Sequence, residues 1–256
     1  TPSLPGNHNL NVFAAYEAQK VKTRTIELRG EGFSHPDLNF AASAANPTQA
    51  YSARTDYAFQ SYFARANYDF NSEYFASLSV RRDGSSRFGP DQRWGTFYSV
   101  GLGWNMTRLI ENTGFIDFLK LRTSYGETGN AGIGNFDWAG LWGFTRDYDG
   151  NPGAAPSQVS NNLLTWESQE NFNIGLDATF LDNKIRLNVE YFERTSSDLL
   201  LDRPLSLTTG FSSVAQNIGD MENKGIEVDL SVDIIQTSEA FLGLSFNTTT
   251  LNNEVT

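Results

Sequence analysis

Apolar and polar side chains alternate residue by residue in segment after segment of this chain, and that constrains the fold more than any other feature. Successive side chains of a strand point to opposite faces, so period-two alternation describes strands that separate two unlike environments. In residues 94–106, Trp94, Thr96, Tyr98, Val100, Leu102, Trp104 and Met106 share one face, opposite Gly95, Phe97, Ser99, Gly101, Gly103 and Asn105. In 61–70, Tyr62, Ala64, Ala66, Tyr68 and Phe70 oppose Phe63, Arg65, Asn67 and Asp69. The pattern recurs in 10–18, 74–81, 119–125, 172–180, 185–192, 226–233 and 242–247. With an extra stretch at 55–60 merging into 61–70, the chain reads as about nine strands, several near the length of a membrane crossing.

The connections alternate too. Short links are expected at 71–72, 181–184 and 236–239, and long ones at 20–54, 82–93, 126–167 and 195–219, with 107–117 of intermediate length on the short-link side. Turns at one end and long loops at the other are the asymmetry of outer-membrane barrels.

Composition fits this reading. Aromatic residues make up 13% of the 256 positions although hydrophobic residues are only 39% and mean hydropathy is −0.40. A membrane barrel needs apolar side chains only at alternate positions, so a polar average and a greasy lipid face coexist. No run approaches the apolar length of a membrane-spanning helix. Residues 1–6 have neither a basic nor an apolar signal region, so any export signal lies upstream. The absence of cysteine fits an oxidising compartment without requiring one. A net charge of −11 with scattered basic residues argues against nucleic-acid binding. The competing reading of the alternation is a soluble β-sandwich or lipocalin-like barrel with its apolar face turned inward. Charged faces on consecutive strands, aromatic residues at strand ends and the long loops favour the membrane barrel.

Several blocks carry a family resemblance. Ser61-Tyr62-Phe63-Ala64-Arg65-Ala66-Asn67-Tyr68-Asp69-Phe70 is followed by Ser79-Val80-Arg81-Arg82-Asp83-Gly84-Ser85-Ser86-Arg87-Phe88-Gly89 and Arg93-Trp94-Gly95-Thr96-Phe97. Leu119-Lys120-Leu121-Arg122-Thr123-Ser124-Tyr125-Gly126-Glu127-Thr128-Gly129-Asn130 and Leu164-Thr165-Trp166-Glu167 come next. The series ends with Thr209-Gly210-Phe211-Ser212 and Asn217-Ile218-Gly219-Asp220-Met221-Glu222-Asn223-Lys224-Gly225-Ile226-Glu227. In this order they resemble the barrel of the SusC/RagA family of TonB-dependent outer-membrane transporters. The resemblance is weakest in 21–50 and 134–161, where cargo selectivity is expected to vary.

The resemblance implies a 22-stranded barrel closed by an N-terminal plug, energised through a TonB complex and lidded by a SusD-like surface lipoprotein. It implies uptake of glycan or peptide cargo across the outer membrane of a Gram-negative bacterium. Residues 1–256 show no plug, no TonB box and no terminal aromatic residue, so the chain is expected to be an all-β, antiparallel transmembrane β-barrel segment from the later half of the barrel.

Chemical motifs are sparse. His8 and His35 have no cysteine partner, which argues against zinc, and no Gly-x-Ser-x-Gly elbow supports hydrolysis. Neither enzyme activity nor a cofactor is expected. The glycines of 126–134 lack a phosphate-cradling Gly-Lys-Ser/Thr ending and suit a hinge where a strand leaves the membrane. Asp147-Tyr148-Asp149-Gly150-Asn151 faintly resembles a calcium loop, but an Asp-Gly turn explains it more simply. Arg81, Arg82, Asp83 and Arg87 suggest a bracing salt-bridge network at the rim. The aromatic residues Phe136, Trp138, Trp142, Phe144 and Tyr148 of the longest loop are the candidate ligand or lid contacts, with loop packing as the plainer alternative. Transport therefore competes with a soluble or surface-attached β-rich carbohydrate-binding module, and with a passive porin.

Overall fold

The computed structural model describes residues 6–38, 40–110 and 114–256, the side chains of Thr145, Arg146 and Tyr148 excepted. Nine strands form one sheet: β1 (His8–Phe33), β2 (Ala44–Phe70), β3 (Tyr74–Ser85), β4 (Trp94–Asn105), β5 (Ile116–Asn130), β8 (Glu167–Phe180), β9 (Ile185–Ser197), β12 (Met221–Gln236) and β13 (Phe241–Val255). They lie side by side in that order, every neighbouring pair antiparallel. The chain is an antiparallel β-barrel segment, with β1 and β13 as its outer strands among the described residues.

Cross-strand register aligns the faces read from the sequence. One row runs Val12, Ala66, Leu78, Val100, Tyr125, Phe172, and the next runs Leu10, Tyr68, Ala76, Leu102, Thr123, Ile174, Tyr191, Ile226. Leu102 is 55% and Ile174 41% exposed. An apolar surface this extensive is untenable in water and suits a hydrocarbon phase. Aromatic rows border it. At the short-turn end His8, Phe70, Tyr74 and Trp104 stack in sequence at 4.5, 6.3 and 6.1 Å. At the opposite end Tyr16 packs tilted against Tyr62 at 5.2 Å and Tyr62 stacks on Trp94 at 6.2 Å, and Tyr98 lies 6.1 Å from Tyr125. Tyr62 and Phe70 are about 27 Å apart along β2, which for a strand tilted by roughly 40° spans about 21 Å of membrane height, a little under the roughly 25 Å apolar band of such barrels.

Two of the short links are tight turns in left-handed backbone: Asn71 and Ser72 have φ of 57° and 55°, and Leu181, Asp182 and Asn183 have φ of 56°, 57° and 62°. Such turns match the twist of the strands they join. The intermediate link carries the one-turn helix α1 (Thr107–Ile110), where Asn105 Oδ1 accepts from the Thr107 amide at 3.1 Å and its hydroxyl at 2.6 Å.

The long links depart from expectation. Most of 20–54 is strand: beyond Tyr57, β1 and β2 pair only with each other, and the hairpin runs on to a 3-10 turn at Ala41–Ser43. This extension reaches about 40 Å past the main sheet. Its residues Lys22-Thr23-Arg24-Thr25 have no apolar face, so hydrophobic periodicity is silent where backbone pairing continues. Two further hairpins lie inside expected loops, β6 (Leu141–Tyr148) with β7 (Asn151–Gln158), and β10 (Leu200–Pro204) with β11 (Ser213–Asn217).

Candidate functional site

The face opposite the lipid rows is polar and carries the charges at mid-height of the sheet. At mid-height Arg122 on β5 reaches across β8 to β9. Its Nε lies 3.3 Å from Asp177 Oδ2, and its Nη1 pairs with Glu190. Asn188 Nδ2 donates to the other Asp177 oxygen. Arg122, Gly175 and Glu190 are register partners on the three strands, and a β-carbon at Gly175 would stand 2.7 Å from the guanidinium carbon. The missing side chain opens the path for this ion pair.

Toward the long-loop end the polar face rises to a small core of Phe88, Phe97, Ala131 and Trp166, packed against Phe59 and Ile133. The Phe97 ring spreads over Gly95 and Gly129, where added β-carbons would overlap it. The Trp166 indole N–H donates to Arg93 O at 3.2 Å. A cleft of about 570 Å³ opens beside this core, lined among others by Phe59, Phe63, Arg81, Asp83, Arg87 and Trp166.

The expected four-residue network at the rim is divided. Arg81 Nε pairs with Asp83 at 2.7 Å, and its Nη2 donates to Ser61 Oγ at 3.1 Å. Arg82, one residue on, points to the other face and lies 5.3 Å from the Trp94 ring. Arg87 stacks 4.1 Å from Tyr57 and donates to Asn135 Oδ1 and Ala131 O at 3.1 and 3.0 Å. Asn135 in turn donates to Thr55 Oγ1 at 2.5 Å. This bridge ties the third long link to the base of the β1–β2 extension. Strand alternation separates Arg81 from Arg82, and Arg87 could be placed only from tertiary contacts.

The loop aromatics do not converge on one point. Trp142 and Phe144, on one side of β6, are 60% and 77% exposed, and Phe136 is 43% exposed. Trp138 is packed beside Gly89, and its buried indole nitrogen has no hydrogen-bond partner among the described residues. The side chain of Tyr148 lies outside the described residues. Asp147 Oδ1 accepts from Gly150 N at 2.9 Å, and Asp149 and Gly150 have φ of 50° and 76°. The acidic stretch is thus the turn of the β6–β7 hairpin. The glycines at 126 and 129 lie within β5 and fit close packing instead of forming a hinge.

An antiparallel sheet with one greasy face edged by aromatics, one charged face and long loops at a single end defines an outer-membrane-type β-barrel wall. The chain matches the model of the TonB dependent receptor-like β-barrel over residues 4–256. TonB-dependent receptor P39 of Formosa agariphila is 38% identical over 186 residues, which is 72% of this chain and 18% of that protein. TonB-dependent receptor SusC of Bacteroides thetaiotaomicron is 34% identical over 195 residues, 72% of this chain and 19% of that protein. The solved RagAB peptide importer in its closed-closed state superposes with a TM-score of 0.90 at 31% identity, over 99% of this chain and 29% of that one. The chain therefore spans less than a third of the length of these relatives, and it belongs to the TonB-dependent receptor β-barrel family.

Proposed function

We propose that this chain supplies barrel wall and extracellular loops to an outer-membrane active transporter of a Gram-negative bacterium. The transporter takes up glycan or peptide nutrients with energy delivered by a TonB complex. The observation that carries this reading is the division of the sheet into an apolar face held between two aromatic rows and a face bearing the Arg122, Asp177 and Glu190 network. A wall of that kind separates lipid from a wet interior. Residues 1–256 form part of a single barrel domain, whose remaining strands and plug belong to the longer protein. The similarity to the RagAB peptide importer supports the peptide class, and the similarity to TonB-dependent receptor SusC supports TonB-dependent uptake.

The exposed aromatics Phe136, Trp142 and Phe144 contact cargo or a SusD-like lipoprotein lid, since such rings give large contact areas at small entropic cost. Trp138 packs the loop that presents them. The test is growth of a strain carrying the full-length gene, or its deletion, on single glycans and on peptide mixtures, with TonB intact or inactivated. TonB-dependent loss of growth on one of these sources is expected. Growth unaffected by the deletion on all of them, or monodisperse full-length protein in buffer without detergent, would overturn the reading.

A further inference from the structure

The outward face of the β1–β2 hairpin changes character just past the upper aromatic row. Below, Val12, Ala14, Tyr16 and Ala18 point toward lipid; beyond, the same face carries Lys20, Lys22 and Arg24 on β1 and Arg54 on β2. Arg82 joins them from β3, as the register partner of Tyr62. Against these five cations the same face offers one acid among the described residues, Asp56, which lies 3.8 Å from Lys20 and 3.9 Å from Arg54. Lys22, whose register partner is Asp56, and Arg24 are exposed, and neither forms an ion pair within 4 Å among the described residues. Arg24 and Arg54 are direct cross-strand partners, an arrangement of like charges that the single Asp56 beside Arg54 offsets only in part. In a chain of net charge −11 this concentration of positive charge is local and one-sided.

A shallow groove of about 470 Å³ lies at the junction of the two zones, lined among others by Ala18, Lys20, Ala58, Gly84, Arg93 and Trp94. The small residues leave room, and the Trp94 ring lies across Gly84. Lys20 stands about 13 Å beyond Tyr16 along a strand tilted by roughly 40°. A lysine bends back toward an interface along its alkyl stem, so its ammonium reaches the headgroup layer next to the girdle.

We propose that this face is a seat for a phosphorylated lipid of the facing leaflet. Its acyl region lies against Ala14, Ala18 and Ala64, and its phosphates are held by Lys20 and Lys22, with Arg24 and Arg54 adding positive field from farther out along the hairpin. The ligand is a lipid because the cations continue the hydrocarbon-facing surface and point away from the polar face where cargo would pass. The inference rests on the membrane reading above and adds a partner to it.

The test uses the full-length protein purified in detergent and titrated with lipid A, either phosphorylated or phosphatase-treated, with bound lipid counted by native mass spectrometry. Phosphorylated lipid A is expected to bind on the order of tenfold more tightly. The Lys20→Gln, Lys22→Gln, Arg54→Gln variant should erase that preference, whereas Lys20→Arg with Lys22→Arg should keep it. Arg65→Gln, on the opposite face of β2, should leave it unchanged. Should the triple variant fail to fold, Lys22→Gln alone should reduce the preference about threefold to fivefold. Equal binding of the two lipids, or a preference that survives loss of the charges, would overturn the proposal and leave the barrel reading standing. So would a variant that loses binding to an acidic lid protein but not to lipid. Full-length protein that needs no detergent would overturn both.

Discussion

The Phe97 ring on β4 lies on the bare backbone of Gly129 on β5, where a β-carbon would overlap its Cζ. Phe97 is only 7% exposed and joins Trp166, Phe88 and Ala131 in a packed cluster at the loop end of the polar face. Gly129 therefore holds this cluster closed by having no side chain, and that role owes nothing to turn geometry.

Gly129→Ala should displace Phe97 and destabilise the full-length protein by about 1–3 kcal/mol, the cost of overpacking a filled site. Pairing it with Phe97→Leu should recover part of the loss. Equilibrium unfolding in detergent, read by the gel shift of the heat-modifiable folded form, measures both. Additive losses would show that the two residues do not share one packing site.

Trp166→Ala should remove a buried indole from the same cluster and cost roughly 3–5 kcal/mol. Trp166→Phe, which keeps most of the volume but loses the bond to Arg93 O, should cost about 1 kcal/mol. The same unfolding assay distinguishes them, and similar losses for both would place the main contribution in the hydrogen bond.

Neighbouring positions on β8 should respond in opposite ways to one substitution. Ile174→Arg puts a charge on the lipid face and should cost about 2–4 kcal/mol near the bilayer middle, whereas Asn173→Arg on the wet face should cost under about 1 kcal/mol. The yield of inserted, heat-modifiable protein checks this. Equal tolerance at both positions would contradict the assignment of faces.

Arg122 and Glu190 should be coupled across Gly175. Because both are partly exposed, a double-mutant cycle with Arg122→Ala and Glu190→Ala should give a coupling of only about 0.5–1 kcal/mol. Gly175→Ala should abolish most of it by blocking the path of the guanidinium.

Trp142→Ala and Phe144→Ala should leave unfolding within about 0.5 kcal/mol of wild type, since both rings are exposed. Uptake by the full-length protein, or its affinity for its lid partner, should fall about tenfold or more if these rings are interface anchors. Unchanged uptake and lid affinity would remove them from the candidate contacts.

The sequence by itself determined which residues share a face, how many strands form the main sheet and at which end the long links lie. Those properties are local, because the direction of a side chain on a strand follows from the parity of its position. Arg82 and Trp94 could thus be assigned to the face opposite Arg81 and Phe97 without coordinates. Only the tertiary structure decided that 20–54 is largely a paired hairpin, that Gly175 opens a path from Arg122 to Glu190, and that Lys20, Lys22, Arg24 and Arg54 gather on one surface. Backbone pairing between polar strands leaves no hydrophobic period, and which charges meet depends on register between segments up to some sixty residues apart.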